Sequence, residues 1–211
     1  MGRLQVLYES SPEIQWGACL RDVASGEVVD WCGADRALPI ASVGKVLLLV
    51  TVAAQIDAGT LDPHHRLVRC ESDQVADSGL WHHLATDELA VVDAAVLVSA
   101  VSDNVATNVL LRRIGLDTVA AQAAQLGLRV TRLHDRVRDR RGPADPPTLA
   151  TGSAAELSWL MASLANGAVV NPAVSHRVPV SSHPTSTGTW STSPPATSVR
   201  CCRTPRSHAR R

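Results

Sequence analysis

The sequence contains no phenylalanine, one tyrosine, two methionines and a single lysine, Lys45. Apart from that tyrosine, only five tryptophans could offer large flat rings. The chain therefore lacks the aromatic platforms on which single-stranded nucleic acids stack, and no nucleic-acid partner is expected. Its 45% apolar content must come largely from alanine, valine and leucine, enough for 211 residues to bury a sizeable core. No apolar run approaches the roughly 20 residues of a membrane span, so no membrane partner is expected either. Residues 1–20 carry Glu9 and Glu13 and lack the basic-then-apolar pattern of a secretory signal, which predicts a cytoplasmic protein. Five cysteines, with no Cys-x-x-Cys, supply neither a disulfide framework nor a zinc motif. The pairs His64-His65 and His82-His83 have the wrong spacing for metal ligands and read as solvated loop histidines. Neither a metal nor a cofactor is implied.

Acidic residues also stop abruptly. All 20 lie at or before Glu156, and six arginines follow it, so a net charge of zero hides an acidic body and a basic end. Residues 179–211 are dominated by Ser, Thr, Pro and Arg with little apolar periodicity. The chain divides into one domain over 1–178 and a tail over 179–211, disordered by composition or read out of frame. Non-specific attraction of anions by that tail is the weakest functional reading.

Within the body, Ile14 to Arg21 and Glu27 to Trp31 flank Asp22-Val23-Ala24-Ser25-Gly26, predicting an antiparallel hairpin. Val46 to Ile56 is apolar nearly all round and stops before Gly59, the pattern of a buried helix whose first turn holds Ser42 and Lys45. Thr86 is expected to cap a second helix, with Asp87 and Glu88 in its first turn, that runs through Leu89 to Ala100 and breaks near Ser102-Asp103-Asn104. A third helix ends at Gly115, and Asp117 is expected to cap a fourth from Thr118 to Leu126. Residues 132–147 form a charged, proline-bearing loop. Ser153 and Glu156 match a capping box that opens a helix through Leu164.

Two motifs carry chemistry. Ser42 and Lys45, three residues apart at a helix start, set a hydroxyl beside an amine. The positive end of the helix favours a developing alkoxide, and burial disfavours the ammonium, leaving a lysine able to act as a base. By itself Ser-x-x-Lys is a weak signal, equally met by a capping serine followed by a snorkelling lysine. Sixty residues on, Ser102-Asp103-Asn104 at a helix break presents a second hydroxyl and a carboxamide, although all three residues also favour ordinary turns.

Together these motifs resemble the class A β-lactamase and penicillin-recognising serine hydrolase family. So do Gly79-Leu80-Trp81 and the run from Val98 to Asn108, and the likeness covers about residues 5–175. The resemblance implies an α+β (α/β sandwich) fold: an antiparallel sheet packed by an all-helical lobe, with the C-terminal strands of the family missing. It implies a β-lactam or related acyl donor as the small-molecule partner, Ser42 as acylated nucleophile and Lys45 as its activating amine. Ser102 would shuttle a proton to the leaving nitrogen, Asn104 would contact the substrate amide, and the Ser42 N–H would serve the oxyanion.

Two departures follow from the same comparison. The family's Lys-Thr-Gly strand has no counterpart, because Lys45 is the only lysine and Ser186-Thr187-Gly188 lacks the cation. No glutamate occurs between Glu88 and Glu156 to activate the deacylating water. Asp135, Asp139 and Asp145 are the carboxylates of the 132–147 loop. Asp139 is the candidate base, one methylene short and flanked by Arg138, Arg140 and Arg141. The alternatives to a β-lactam hydrolase are a cytoplasmic esterase or amidase on the same scaffold, and a non-catalytic remnant.

Overall fold

A short helix, α1 (Arg3–Glu9), precedes the hairpin of β1 (Ala18–Arg21) and β2 (Val28–Cys32), paired antiparallel with Cys19 opposite Trp31. The computed structural model describes residues 2–9, 13–76 and 78–178, so the tail expected over 179–211 lies outside the described residues. Asp22 builds the hairpin turn by accepting the Ser25 N–H at 2.7 Å, and Gly26 closes it at φ +74°. β3 (Leu38–Pro39) then leads through a 3₁₀ turn, Ala41–Gly44, into α2 (Lys45–Asp57). As its composition predicts, α2 is buried nearly all round.

The expected helix from Thr86 starts later. Glu88–Ala90 is instead a strand, β5, paired antiparallel with β4 (Arg66–Val68), and α3 (Val91–Val101) follows it. Thr86 caps nothing: its hydroxyl accepts the Glu88 N–H and donates to the Glu88 carbonyl in a tight turn. The Glu88 carboxylate pairs across the ladder with Arg66 at 2.8 Å. Cross-strand pairing therefore overrides the helix-start pattern there. α4 (Asn104–Ile114) and α5 (Leu116–Gln125) are separated by Gly115 at φ +87°, and Asp117 sits inside the first turn of α5 instead of capping it.

Beyond α5, β6 (Arg132–Leu133) and β7 (Ala150–Gly152) join β3 in the order β3-β7-β6, all antiparallel. The sheet expected from the sequence is thus three small antiparallel pieces among the described residues. α6 (Ala154–Ala165) opens with half of its capping box: Ser153 Oγ accepts the Glu156 N–H at 3.3 Å. The Glu156 carboxylate does not turn back; it accepts the Arg129, Val130 and Thr131 N–H groups before β6. Burial would raise its pKa, but those main-chain donors hold it below the ordinary carboxylate value. α7 (Pro172–Arg177), capped by Asn171, packs on α2 and α6 and was not evident from the sequence pattern.

The core is mostly leucine, valine and alanine, as the lack of phenylalanine requires, around the fully buried ring of Trp81. Its indole N–H donates to the Thr86 carbonyl at 3.1 Å, so the polar edge is satisfied inside the core. No helix among the described residues is long and apolar enough to cross a membrane. On the hairpin, Leu20, Val28, Val29 and Trp31 are exposed.

Two glycines let the backbone close in around α2 and α4. A Cβ on Gly44 would lie 2.3 Å from that of Ala150, so the turn before α2 rests directly on β7. A Cβ on Gly79 would lie 2.8 Å from the buried Asp103 carboxylate, and Gly79 also has φ +148°. Gly79→Ala should cost about 2–4 kcal/mol in urea unfolding, through strain plus displacement of Asp103. Gly26→Ala, also at a positive φ (+74°) but with nothing within 4 Å of its Cβ, should cost only about 1 kcal/mol. Equal losses at the two positions would show that the Asp103 contact carries nothing.

Candidate active site

A lysine at the first position of an apolar helix must lose most of its hydration, and Lys45 is only 2% exposed. Its ammonium recovers hydrogen bonds from residues nearly 60 positions away. Nζ donates to the Ser102 carbonyl at 2.6 Å, to Ser102 Oγ at 3.0 Å and to Asn104 Oδ1 at 2.7 Å. These three acceptors match the three ammonium donors. Burial lowers the Lys45 pKa and the Asp103 carboxylate draws it partly back, leaving it at about 8. A neutral amine has two N–H groups and one lone pair. The carbonyl and carboxamide contacts can keep the two hydrogens, which frees the lone pair to accept a proton.

The break between α3 and α4 is what brings those acceptors to Lys45. Ser102 ends α3 in the left-handed conformation, φ 56° and ψ 36°, a position that usually favours glycine. Asp103 then caps α4. Its Oδ1 accepts the Ala106 N–H at 2.8 Å, and its Oδ2 accepts the Leu80 and Trp81 N–H groups at 2.6 and 2.8 Å. One fully buried carboxylate therefore fixes the start of α4 and the Gly79-Leu80-Trp81 segment together. The Asn104 N–H is held by the Ser78 carbonyl at 3.0 Å. With Oδ1 accepting from Lys45, the amide N–H groups of Asn104 are left to offer a ligand.

Ser42 stands one turn before Lys45, in the 3₁₀ segment rather than in the helix expected from the sequence. Its side chain is exposed whereas that of Lys45 is buried, so the two share a turn but not an environment. Ala41, immediately before it, has φ 46°. Three described non-glycine residues have positive φ. One precedes Ser42, another is Ser102, and the third is Val170. Backbone strain of about 1–2 kcal/mol per residue is thus concentrated at the two hydroxyls.

The 132–147 loop is anchored differently from what its charges suggest. Arg138 and Arg141, expected to crowd Asp139, both pair with Asp135 at 2.7 Å. Burial would raise the Asp135 pKa, but the hydrogen bonds from Arg138 and Arg141 and from the Arg136 main chain hold it below the ordinary value. Asp145 takes Arg138 and the Gly142 N–H. Asp139 is exposed, and none of the contacts joining Lys45, Ser102 and Asn104 involves it. The loop is tied to α4 by Asn108, whose carboxamide accepts the Val137 N–H at 2.8 Å and donates to the carbonyls of Val137 and Asp73. The anchoring role of Asn108 has no local signature, because its partners Asp73 and Val137 are about 30 positions away, whereas Asp135 finds its arginines within its own loop.

A sequence model of the Beta-lactamase enzyme family matches residues 2–179. Among solved structures, the chain is similar to a beta-lactamase from Sphaerobacter thermophilus, at 27% identity and TM-score 0.71, covering 80% of this chain and 63% of that one. It is similar to a PBP-A mutant in an acyl-enzyme complex with penicillin G, at 25% identity and TM-score 0.71, covering 83% and 64%. An ancestral class A beta-lactamase gives 26% identity and TM-score 0.69 over 84% and 68%. The chain spans less than two thirds of the length of the first two. The matched residues include both Ser42-x-x-Lys45 and Ser102-Asp103-Asn104, on a mixed fold of antiparallel strands and helices shared with these structures, and the chain belongs to the Beta-lactamase enzyme family.

Proposed function

We propose that this chain is a serine hydrolase that opens a β-lactam or related cyclic amide through an acyl-serine intermediate. The observation that carries this reading is the Lys45 ammonium, buried one turn after Ser42 and bonded at once to Ser102 Oγ and Asn104 Oδ1. In the proposed reaction the Ser42 oxygen attacks the lactam carbonyl and its proton passes to neutral Lys45. The Ser42 N–H donates to the developing oxyanion, and the Asn104 amide N–H groups hold the substrate's side-chain carbonyl. Ser102, fed by Lys45, gives its proton to the departing nitrogen as the C–N bond breaks. Water then cleaves the ester and restores Ser42. Turnover would consume a β-lactam antibiotic.

Among the described residues Asp139 is the carboxylate of its loop that makes no ion pair, since Asp135 and Asp145 are engaged by arginines. It is the candidate base for the deacylating water. Its exposure, together with the absence of a glutamate between Glu88 and Glu156, favours a long-lived acyl-enzyme over fast turnover.

Intact-protein mass after incubation with penicillin G tests the nucleophile. The expected adduct has the whole mass of the drug, because ring opening expels no atoms, and it should vanish in Ser42→Ala. Folded wild-type protein without an adduct would remove the hydrolase reading in favour of a non-catalytic one. The neutral amine is the reactive form and the Lys45 pKa is lowered to about 8. The acylation rate should therefore rise about tenfold per pH unit below that value and level off above it. A rate flat from pH 6 to 9 would exclude Lys45 as the base. Finally, Asp139→Asn should leave the acylation rate within about twofold and slow loss of the adduct by about tenfold or more. An unchanged adduct lifetime would take Asp139 out of the mechanism.

A further inference from the structure

A second concave site lies away from Ser42. It is a cleft of about 350 Å³ between the C-terminal turn of α4, the start of α5, the Glu71–Asp73 turn and residues 135–138 of the charged loop. None of Ser42, Lys45, Ser102 and Asn104 lines it. Its charged lining consists of Arg112, Arg136 and Arg138 with Asp73 and Asp135. Its apolar lining is Leu111 and Leu116.

The two carboxylates are already saturated. Asp73 accepts Nε and Nη2 of Arg112 at 3.1 and 3.0 Å, as well as the Cys70 N–H and thiol. Asp135 accepts Nε and Nη2 of Arg138 at 2.7 and 3.1 Å, Nη1 of Arg141 and the Arg136 N–H. The guanidinium groups are not saturated. Each carries five N–H donors. Arg112 and Arg138 use only Nε and Nη2, so the Nη1 groups of both find no acceptor among the described residues. Arg136 uses only Nη1, on the Ser72 carbonyl, and makes no ion pair among the described residues. The cleft thus has one cation in excess and spare donors on three guanidiniums, beside two leucines. Its volume lies at the lower end of those that hold small organic ligands.

We propose that this cleft binds a small oxyanion with a short apolar body, a carboxylate or a phosphate monoester, by Arg112, Arg136 and Arg138 over Leu111 and Leu116. Guanidinium forks suit both headgroups. Such a ligand bridges α4 to the charged loop, which Asn108 also ties to that helix from within the cleft.

The test is calorimetric titration of the full chain with benzoate, phenyl phosphate, inorganic phosphate and neutral benzyl alcohol, paired with NMR shifts of the arginine Nε–H signals. Saturable binding of benzoate or phenyl phosphate is expected, about tenfold or more tighter than benzyl alcohol and weakened by salt. The stronger of the two identifies the headgroup, and inorganic phosphate reports how much the apolar body adds. Arg136→Glu should weaken binding about tenfold or more at unchanged Tm, because the Arg136 side chain is exposed and holds no buried carboxylate. Should Arg136→Glu unfold, Arg136→Ala provides the same comparison without a new charge. Benzyl alcohol binding as tightly as benzoate, an affinity indifferent to Arg136, or no binding of either anion up to about 10 mM would each overturn the proposal.

Discussion

The arrangement of this molecule depends on a buried ammonium that has three acceptors. Lys45 heads a helix that is mostly buried and is itself only 2% exposed, so its charge loses most of its hydration. Burying an unpaired ammonium would cost many kcal/mol. Ser102 and Asn104 offset that cost and in doing so are fixed at the site themselves. The same balance leaves the amine with a pKa of about 8, near enough to neutrality for it to exist in either protonation state. Stability and reactivity here share one set of contacts.

Around that centre, Asp103 acts as the fastener. Its two oxygens hold α4 and the Gly79-Leu80-Trp81 segment, and its charge lies close enough to Lys45 to oppose the effect of burial. The left-handed turn at Ser102 is affordable only because this buried network over-determines the backbone. The 132–147 loop uses a parallel device: a buried carboxylate, Asp135, gathers two arginines and a main-chain N–H, while Asn108 joins the loop to α4. In both places a carboxylate that looks from its residue type like a candidate acid or base serves to hold loops together.

Much of this was legible in the residue order. The hairpin follows from two short apolar runs around Asp22 and Gly26, and α2 from an uninterrupted apolar stretch bounded by Gly59. The motifs Ser42-x-x-Lys45 and Ser102-Asp103-Asn104 stand out in the residue order, and the structure joins Lys45, Ser102 and Asn104 by hydrogen bonds. The errors have a common cause. Glu88 reads as a first-turn helix residue until Arg66 arrives from 22 positions away, and Glu156 reads as a capping-box partner until three N–H groups ahead of β6 take it. Asp139 reads as the candidate base from its place in the loop, and of the three arginines that flank it, Arg138 and Arg141 face Asp135.

Residue order alone determined which segments bury, because apolar periodicity is a local property that any compact state must respect. It also determined the reactive groups available, since a single lysine leaves no choice of amine. Only the tertiary structure decided what those groups meet. Whether Lys45 is bare or triply bonded, whether Asp135 or Asp139 receives the arginines, and whether a cleft with spare guanidinium donors opens beside α4 all depend on contacts across 3 to 60 positions of chain. Such contacts are set by how the folded chain turns its loops and packs its helices, which residue type and periodicity do not specify.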